Sequence, residues 1–305
     1  MTSPQADFGL SSEDTAAMLA AGLARVVQAE QELNRLNVFP IPDRDTGTNM
    51  SRTVGAVLEA LSAEGPYPSP QAVWNCAARA ALFAARGNSG VILTEVFRGF
   101  AAGVADAPVL DGRAAQCGLR MARDYAYEAV ARPVEGTVLT ALGAAADGVD
   151  ALIAAGIRHP QAIWAGAAAG AREATERGPQ LLAVLRQHGV VDAAALGVSL
   201  WFSGMAEWIE ETGTPQTNAS AGDVLAGPEA PFGFEVQFVL TAALTRRQIL
   251  EALDTLGESL VVSGGQGLFR IHIHTRAPEP VLKCAHALGE LTRLTVDPLT
   301  EAGAD

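Results

Sequence analysis

The chain has 305 residues, 49% of them hydrophobic, with 21 Lys plus Arg against 34 Asp plus Glu and a formal charge of −13. That length allows two folded units with real cores, and the negative balance argues against nucleic acid as a partner. No run of about 18 uncharged apolar residues appears, and the start "MTSPQADFGLSSEDTA" lacks a basic region followed by an apolar one. Neither a membrane span nor a secretory signal is therefore expected, and the cytoplasm is the default location. Cys76, Cys117 and Cys284 are odd in number and form no CxxC pair, which speaks against a disulfide framework or a cysteine zinc site.

From Ser12 to about Glu211 the sequence is alanine-rich and reads as helix after helix. Leu19, Leu23, Val26 and Leu33 recur at helical spacing in the first, with Ser11 and Asp14 placed to cap its start. Further helical patterns follow at roughly 49–63, 70–85, 89–103, 112–131, 135–155, 160–177 and 194–211, broken by "EGPYPSP", "DAPVLDG" and "ERGPQ". Eight antiparallel helices are the simplest arrangement of residues 1–211.

Residues 212–231, "TGTPQTNASAGDVLAGPEAP", have linker composition. Beyond them, residues 232–305 change period. "FGFEVQFVLTA" alternates, "TRRQILEALDTLG" is helical, "SLVVSGG" and "GLFRIHIHT" are strands, "APEPVLKCAHALGEL" is helical, and "RLTVDPL" is a last strand. The order βαββαβ predicts an α+β, ferredoxin-like unit with a four-stranded antiparallel sheet.

The candidate chemistry starts at "NVFPIPDRDTGTNM", residues 37–50. Pro40 and Pro42 keep this segment from being helix, so Asp43 and Asp45 sit on extended or turning chain, where positions i and i+2 face one side. Two such carboxylates form a hard oxygen site suited to magnesium, which fills its remaining shell with water and phosphate oxygens. Thr46, Gly47, Thr48 and Asn49 then offer amides and hydroxyls at a helix start, where an anion is favoured. The alternative is a loop whose aspartates only cap the helix. "ARGNSGVIL" places Asn88 and Ser89 at another helix start; Thr137 in "RPVEGTVLTA" and Asp192 in "GVVDAAALGV" mark two more. Each also reads as an ordinary N-cap, but in an up-and-down bundle such starts can gather at one end and form a nucleotide pocket.

These runs, in order, resemble the dihydroxyacetone-kinase L-subunit (DhaL) type of nucleotide-binding domain, in the form found in bacterial fatty-acid kinases. "LVVSGGQGLFRIHIHT" is similar to that family's middle domain. The resemblance implies an all-α, eight-helix up-and-down barrel that binds ATP and magnesium at one end. Asp43 and Asp45 would be the magnesium ligands, with Thr46 to Asn49, Asn88, Ser89, Thr137 and Asp192 around the nucleotide. It implies a kinase acting on a carboxylate presented by an acyl-carrying binding protein, and a homodimer stays open. The alternatives are a glycerone-type small-molecule kinase or a nucleotide-binding scaffold with weakened catalysis. Family fatty-acid kinases continue into a carrier-docking domain beyond the point where this sequence stops.

The chain departs from the family pattern in three places. Arg44 replaces the glycine between the aspartates; it either reaches a phosphate, competes with the metal, or faces solvent. Ala194 and Ala195 replace paired glycines after Asp192, which would crowd a nucleotide. In the second unit, Glu235 stands at the position of the family's zinc-ligating cysteine, opposite His272 and His274. These two histidines lie at i and i+2 on the strand face away from Phe269, Ile271 and Ile273. The three residues are either a Glu-His-His zinc site or a polar sheet face. His159, His188 and His286 have no partner spacing.

Overall fold

The computed structural model describes residues 9–211 and 233–299; the expected linker lies outside the described residues. Ten helices form the first part: α1 Ser12–Gln28, α2 Glu30–Leu36, α3 Thr46–Glu64, α4 Pro70–Ala84, α5 Gly87–Gly103, α6 Gly112–Ala129, α7 Val138–Ala154, α8 Pro160–Leu181, α9 Ala183–His188 and α10 Ala193–Glu211. Side-chain caps fix several starts. Ser11 and Asp14 form a reciprocal capping box on α1, Ser69 caps α4 ahead of Pro70, and Asp111 accepts from the Ala114 amide at 2.8 Å on α6.

Two of the ten helices were not expected. The first helical pattern breaks at Ala29, and the short α2 beyond the break packs on α3. The run "ERGPQ" does not end α8, which continues through Pro179 to Leu181. Proline there removes only one bond in the last turns, and the Leu182 amide still reaches Gly178 O at 2.9 Å.

Each long helix packs on its neighbours in chain order from α3 to α8. α10 packs on α8, and α1 packs on both α10 and α3. Inside this ring lies one continuous core with an aromatic column of Trp74, Phe97, Phe100, Trp164, Trp201 and Phe202. Trp74 stacks on Phe100 with centroids 3.9 Å apart, and Trp201 on Phe202 at 5.1 Å. Truncating any one of these to alanine costs roughly 3–5 kcal/mol.

The second part runs β1 Phe234–Thr241, α11 Arg246–Leu253, a 3-10 turn, β2 Glu258–Gly265, β3 Leu268–Thr275, α12 Pro278–Leu288 and β4 Glu290–Pro298. The sheet order is β2-β3-β1-β4 and every pairing is antiparallel. One face carries Val236, Phe238, Leu240, Phe269, Ile271 and Ile273 and forms a separate core with α11 and α12. The opposite face carries Glu235, Gln237, Arg270, His272 and His274, yet it is not open to water: Arg270 is 2% exposed, His272 1% and His274 4%. It lies against the helical part. Arg270 Nη2 donates to Ala85 O at 2.9 Å, the Ala131 amide donates to Leu260 O at 3.2 Å, and Val261 belongs to the helical core. An alternating strand whose polar residues read as solvent-facing is thus buried on both sides.

Candidate functional site between the helical part and the sheet

A cleft of about 550 Å³ opens between the two parts, a size that suits a nucleotide. From the helical part it is lined by the 39–43 segment, Thr46, Asn88, Ser89, Ile92, residues 130–139, Asp192 and Ala194. From the sheet part come Asp254, residues 257–261, His274 and Leu299. At its polar end a smaller cavity of about 30 Å³ is bounded by Asp43, Asp45, Thr46, Asn49, Gly87, Asn88, Ser89, Glu235, His272 and His274. That volume admits an ion or a water but not a phosphate.

Asp43 and Asp45 hydrogen-bond each other, and the Asn49 side chain contacts Asp45. Burial, then the neighbouring Asp45 charge, pushes the Asp43 carboxyl up to about 8, and burial raises Asp45 as well. A pair held this way shares a proton when no cation is bound; a divalent ion suits the place of that proton. The capping alternative does not describe Asp45, which precedes α3 with no side-chain cap bond. Arg44 between the two is exposed and has φ +58°, the left-handed region.

The start of α3 corrects one expectation. The Thr46 amide donates to Asn37 Oδ1 at 2.9 Å, the Thr48 amide to Asn34 Oδ1 at 3.0 Å, and the Asn49 amide to Asp45 O at 2.8 Å. These donors are occupied by protein and do not stand ready for phosphate. Thr48 Oγ1 also reaches Glu30 Oε1 at 3.1 Å. Gly47 serves packing: a Cβ there would meet the backbone Glu30 O at 2.0 Å. Only Thr46 and Asn49 of this run line the cavities.

The start of α5 is different. Arg86 provides no side-chain cap, the first amide bonded within the helix is that of Gly90 to Arg86 O, and the buried Asn88 Oδ1 has no partner. Gly87 has φ +58°, and a Cβ on it would lie 2.4 Å from Asn49 Nδ2. The turn is thereby tied to the carboxylate pair. This helix start is the better anion site of the two.

Thr137 caps α7, its hydroxyl donating to Val134 O at 2.7 Å while it accepts from the Leu139 amide at 3.4 Å. Asp192 accepts from the Ala195 amide at 2.8 Å, and the amides of Val138 and Ala194 also contact it, so it ties the starts of α7 and α10 together. Burial pushes its carboxyl up to about 6.

The strand register sets Glu235 opposite His274 and Gln237 opposite His272. The two imidazole Nε2 atoms face each other at 2.9 Å, and Glu235 Oε1 lies 3.1 Å from His272 Nδ1 without hydrogen-bond alignment. One ligand atom from each of the three falls within 4.8 Å of the others. Burial and the neighbouring His272 hold His274 down at about 3. Burial opposes the charge on Glu235, but the histidines outweigh it and leave its carboxyl at about 2. An acidic residue and neutral imidazoles form a donor set that fits a divalent metal.

Sequence reasoning treated the aspartate pair and the histidine pair as separate sites; the structure brings them to one cavity. It also missed Asn34 and Asn37, whose spacing of three on one side of a short helix was the available signal, and the cleft wall at 257–261, which has none locally.

Comparison with known proteins places the chain in the DAK2-domain family: residues 40–207 match the DAK2 domain. Residues 231–304 match the FakA-like middle domain of fatty acid kinases. Protein YloV of Bacillus subtilis (strain 168) is 31% identical over 314 residues, covering 96% of this chain and 56% of that protein. An uncharacterised protein of Staphylococcus saprophyticus is 28% identical over 305 residues, covering 94% of this chain and 54% of its own length. The chain spans about half the length of the curated relatives it matches. Among solved structures, the crystal structure of the dihydroxyacetone kinase from C. freundii in complex with AMP-PNP and Mg2+ shares the fold over 68% of this chain and 36% of that one, with TM-score 0.51 and 18% identity. No helix among the described residues is long and apolar enough to cross a membrane.

Proposed function

We propose that this chain is a cytoplasmic ATP- and magnesium-dependent phosphotransferase of the fatty-acid kinase type, moving a γ-phosphoryl group to a carboxylate presented by an acyl-carrying partner. The helix ring is read as an eight-helix barrel spanning residues 1–211, and residues 232–305 as a ferredoxin-like unit. The observation that carries the reading is the proton-sharing pair Asp43 and Asp45 beside the uncapped start of α5, at the polar end of a nucleotide-sized cleft. Asp43 and Asp45 would hold magnesium, which when bound neutralises phosphate charge; Asn88, Ser89 and the α5 amides would hold phosphate oxygens. Thr46, Asn49, Thr137 and Asp192 shape the walls around them. A carboxylate acceptor is already ionised at neutral pH, so transfer breaks the β–γ bridging P–O bond and forms the acyl P–O bond with no base needed. Glu235, His272 and His274 fit a second divalent metal, zinc by donor type.

The test is calorimetry of magnesium with AMP-PNP on the full chain and on Asp43→Ala with Asp45→Ala. Binding that is lost in the double variant supports the reading; equal affinity rejects it.

A second reading, a nucleotide-binding scaffold with weak catalysis, is favoured by Arg44 in the left-handed region and by Ala194 in the cleft wall. ATP turnover with an acyl-loaded partner decides against it. Phosphorylation of dihydroxyacetone, the substrate class in the name of the solved relative, would instead indicate a small-molecule kinase.

A further inference from the structure

A charged carboxylate in the middle of an apolar helix is costly unless fully paired. Glu95, in the α5 run "GVILTEVFRGF", is 0% exposed. Its Oε1 accepts from Ser263 Oγ at 2.7 Å, from the Gly264 amide at 2.8 Å and from Arg98 Nη1 at 2.6 Å. Its Oε2 accepts from Arg98 Nη1 at 2.9 Å and from Arg246 Nη2. Both guanidiniums also reach Gly264 O, at 2.5 and 3.2 Å, and both lie over the Tyr125 ring, at 5.6 and 5.5 Å. Glu95, Arg98 and Tyr125 belong to the helical part; Ser263, Gly264 and Arg246 belong to the sheet part.

The placement of this cluster ties it to the cleft. α5 opens on the Gly87–Ser89 turn, and Glu95 follows Ser89 by six residues, roughly 9 Å along the helix. β2 lines the cleft with Glu258 to Val261 and is gripped at Ser263 and Gly264, two or three residues further along. The two elements whose starts form opposing walls of the cleft are therefore joined at their far ends through one buried carboxylate.

We propose that Glu95 is a positioning residue. Its ion cluster seats the sheet part against the helical part, so that β2 and His274 complete the site for a magnesium-bound nucleoside triphosphate. This rests on the nucleotide reading given under Proposed function. Removing the carboxylate charge leaves two largely buried guanidiniums competing for one carbonyl, and the seat loosens.

The test uses the full chain and its variants Glu95→Gln, Arg246→Met and Arg246→Lys. Magnesium with AMP-PNP is titrated by calorimetry at temperatures where circular dichroism shows each protein folded, and amide exchange is followed over 130–136 and 258–265. Glu95→Gln and Arg246→Met are expected to raise Kd about ten-fold or more and to speed exchange in both segments without ligand, while Arg246→Lys keeps most of both. A residue that only stabilises the fold would lower the melting temperature and leave Kd unchanged. If Glu95→Gln does not fold, Arg246→Met, altered at the rim of the cluster, decides. Folded variants with wild-type Kd and exchange overturn the inference while leaving the nucleotide reading intact. A wild-type chain that binds no nucleotide overturns that reading and this inference with it.

Discussion

Replacing Arg44 by glycine separates backbone strain from charge at the aspartate pair. At φ +58° an L residue with a side chain carries a penalty of about 1–2 kcal/mol, which glycine does not. Glycine gives back about 0.4–1 kcal/mol through its freer unfolded chain, so the net expectation is a gain of about 0.5–1.5 kcal/mol. For a cooperative unit of this size that is a rise in Tm of roughly 1–5 °C. Arg44→Ala is the control, because alanine keeps the strain and removes the guanidinium, and Arg44 is exposed with little packing to lose. Urea denaturation of the wild type and both variants at one pH reads the two terms apart. The shift from wild type to alanine reports the charge beside Asp43 and Asp45, and the shift from alanine to glycine reports the backbone. A glycine variant no more stable than the alanine variant refutes the strain account.

The other predictions concern the walls of the cleft. The folded chain prefers Asp192 protonated, so its contribution is complete below pH 3.8 and lost as pH rises through about 6. Asp192→Asn, which keeps an acceptor for the Ala195 amide, should therefore be the more stable protein at pH 7.5, by on the order of 3 kcal/mol at most, and the gap should narrow towards pH 4 in denaturation curves. Gly87→Ala meets both a positive φ and the Asn49 amide; it should destabilise the protein by about 1–3 kcal/mol and weaken binding of magnesium with AMP-PNP in calorimetry. Gly47→Ala drives a methyl into Glu30 O and should cost a similar amount, about 1–3 kcal/mol, but leave nucleotide affinity of the folded fraction unchanged. Loss of affinity there would return Gly47 to the phosphate site.

What could be read from the sequence followed local periodicity. Alternation in "GLFRIHIHT" and "FGFEVQFVLTA" places the strands, and the observed register does set Glu235 opposite His274. Prolines 40 and 42 signal that the aspartates lie outside a helix, as they do. Packing between distant segments leaves no such trace. Nothing near Arg270, His272 or His274 says that their face is covered by helices, because a polar row on a strand reads the same whether it meets water or a second layer. The amides of Thr46 and Thr48 looked available because their acceptors, Asn37 and Asn34, belong to a short helix hidden in the end of a longer pattern. Glu95 carried a warning of its own, an acid in the middle of an apolar run with arginine three residues on; its partners lie some 150 residues away and could not be named.

The aromatic column has a practical effect on how this molecule can be watched. All four tryptophans, Trp74, Trp164, Trp201 and Trp208, lie in the helical part, and none lies beyond residue 208. Intrinsic emission is therefore blind to the sheet. Should the strands melt first, the light would stay constant while the far-ultraviolet signal fell, and the gap between the two traces would measure how far the halves unfold as one.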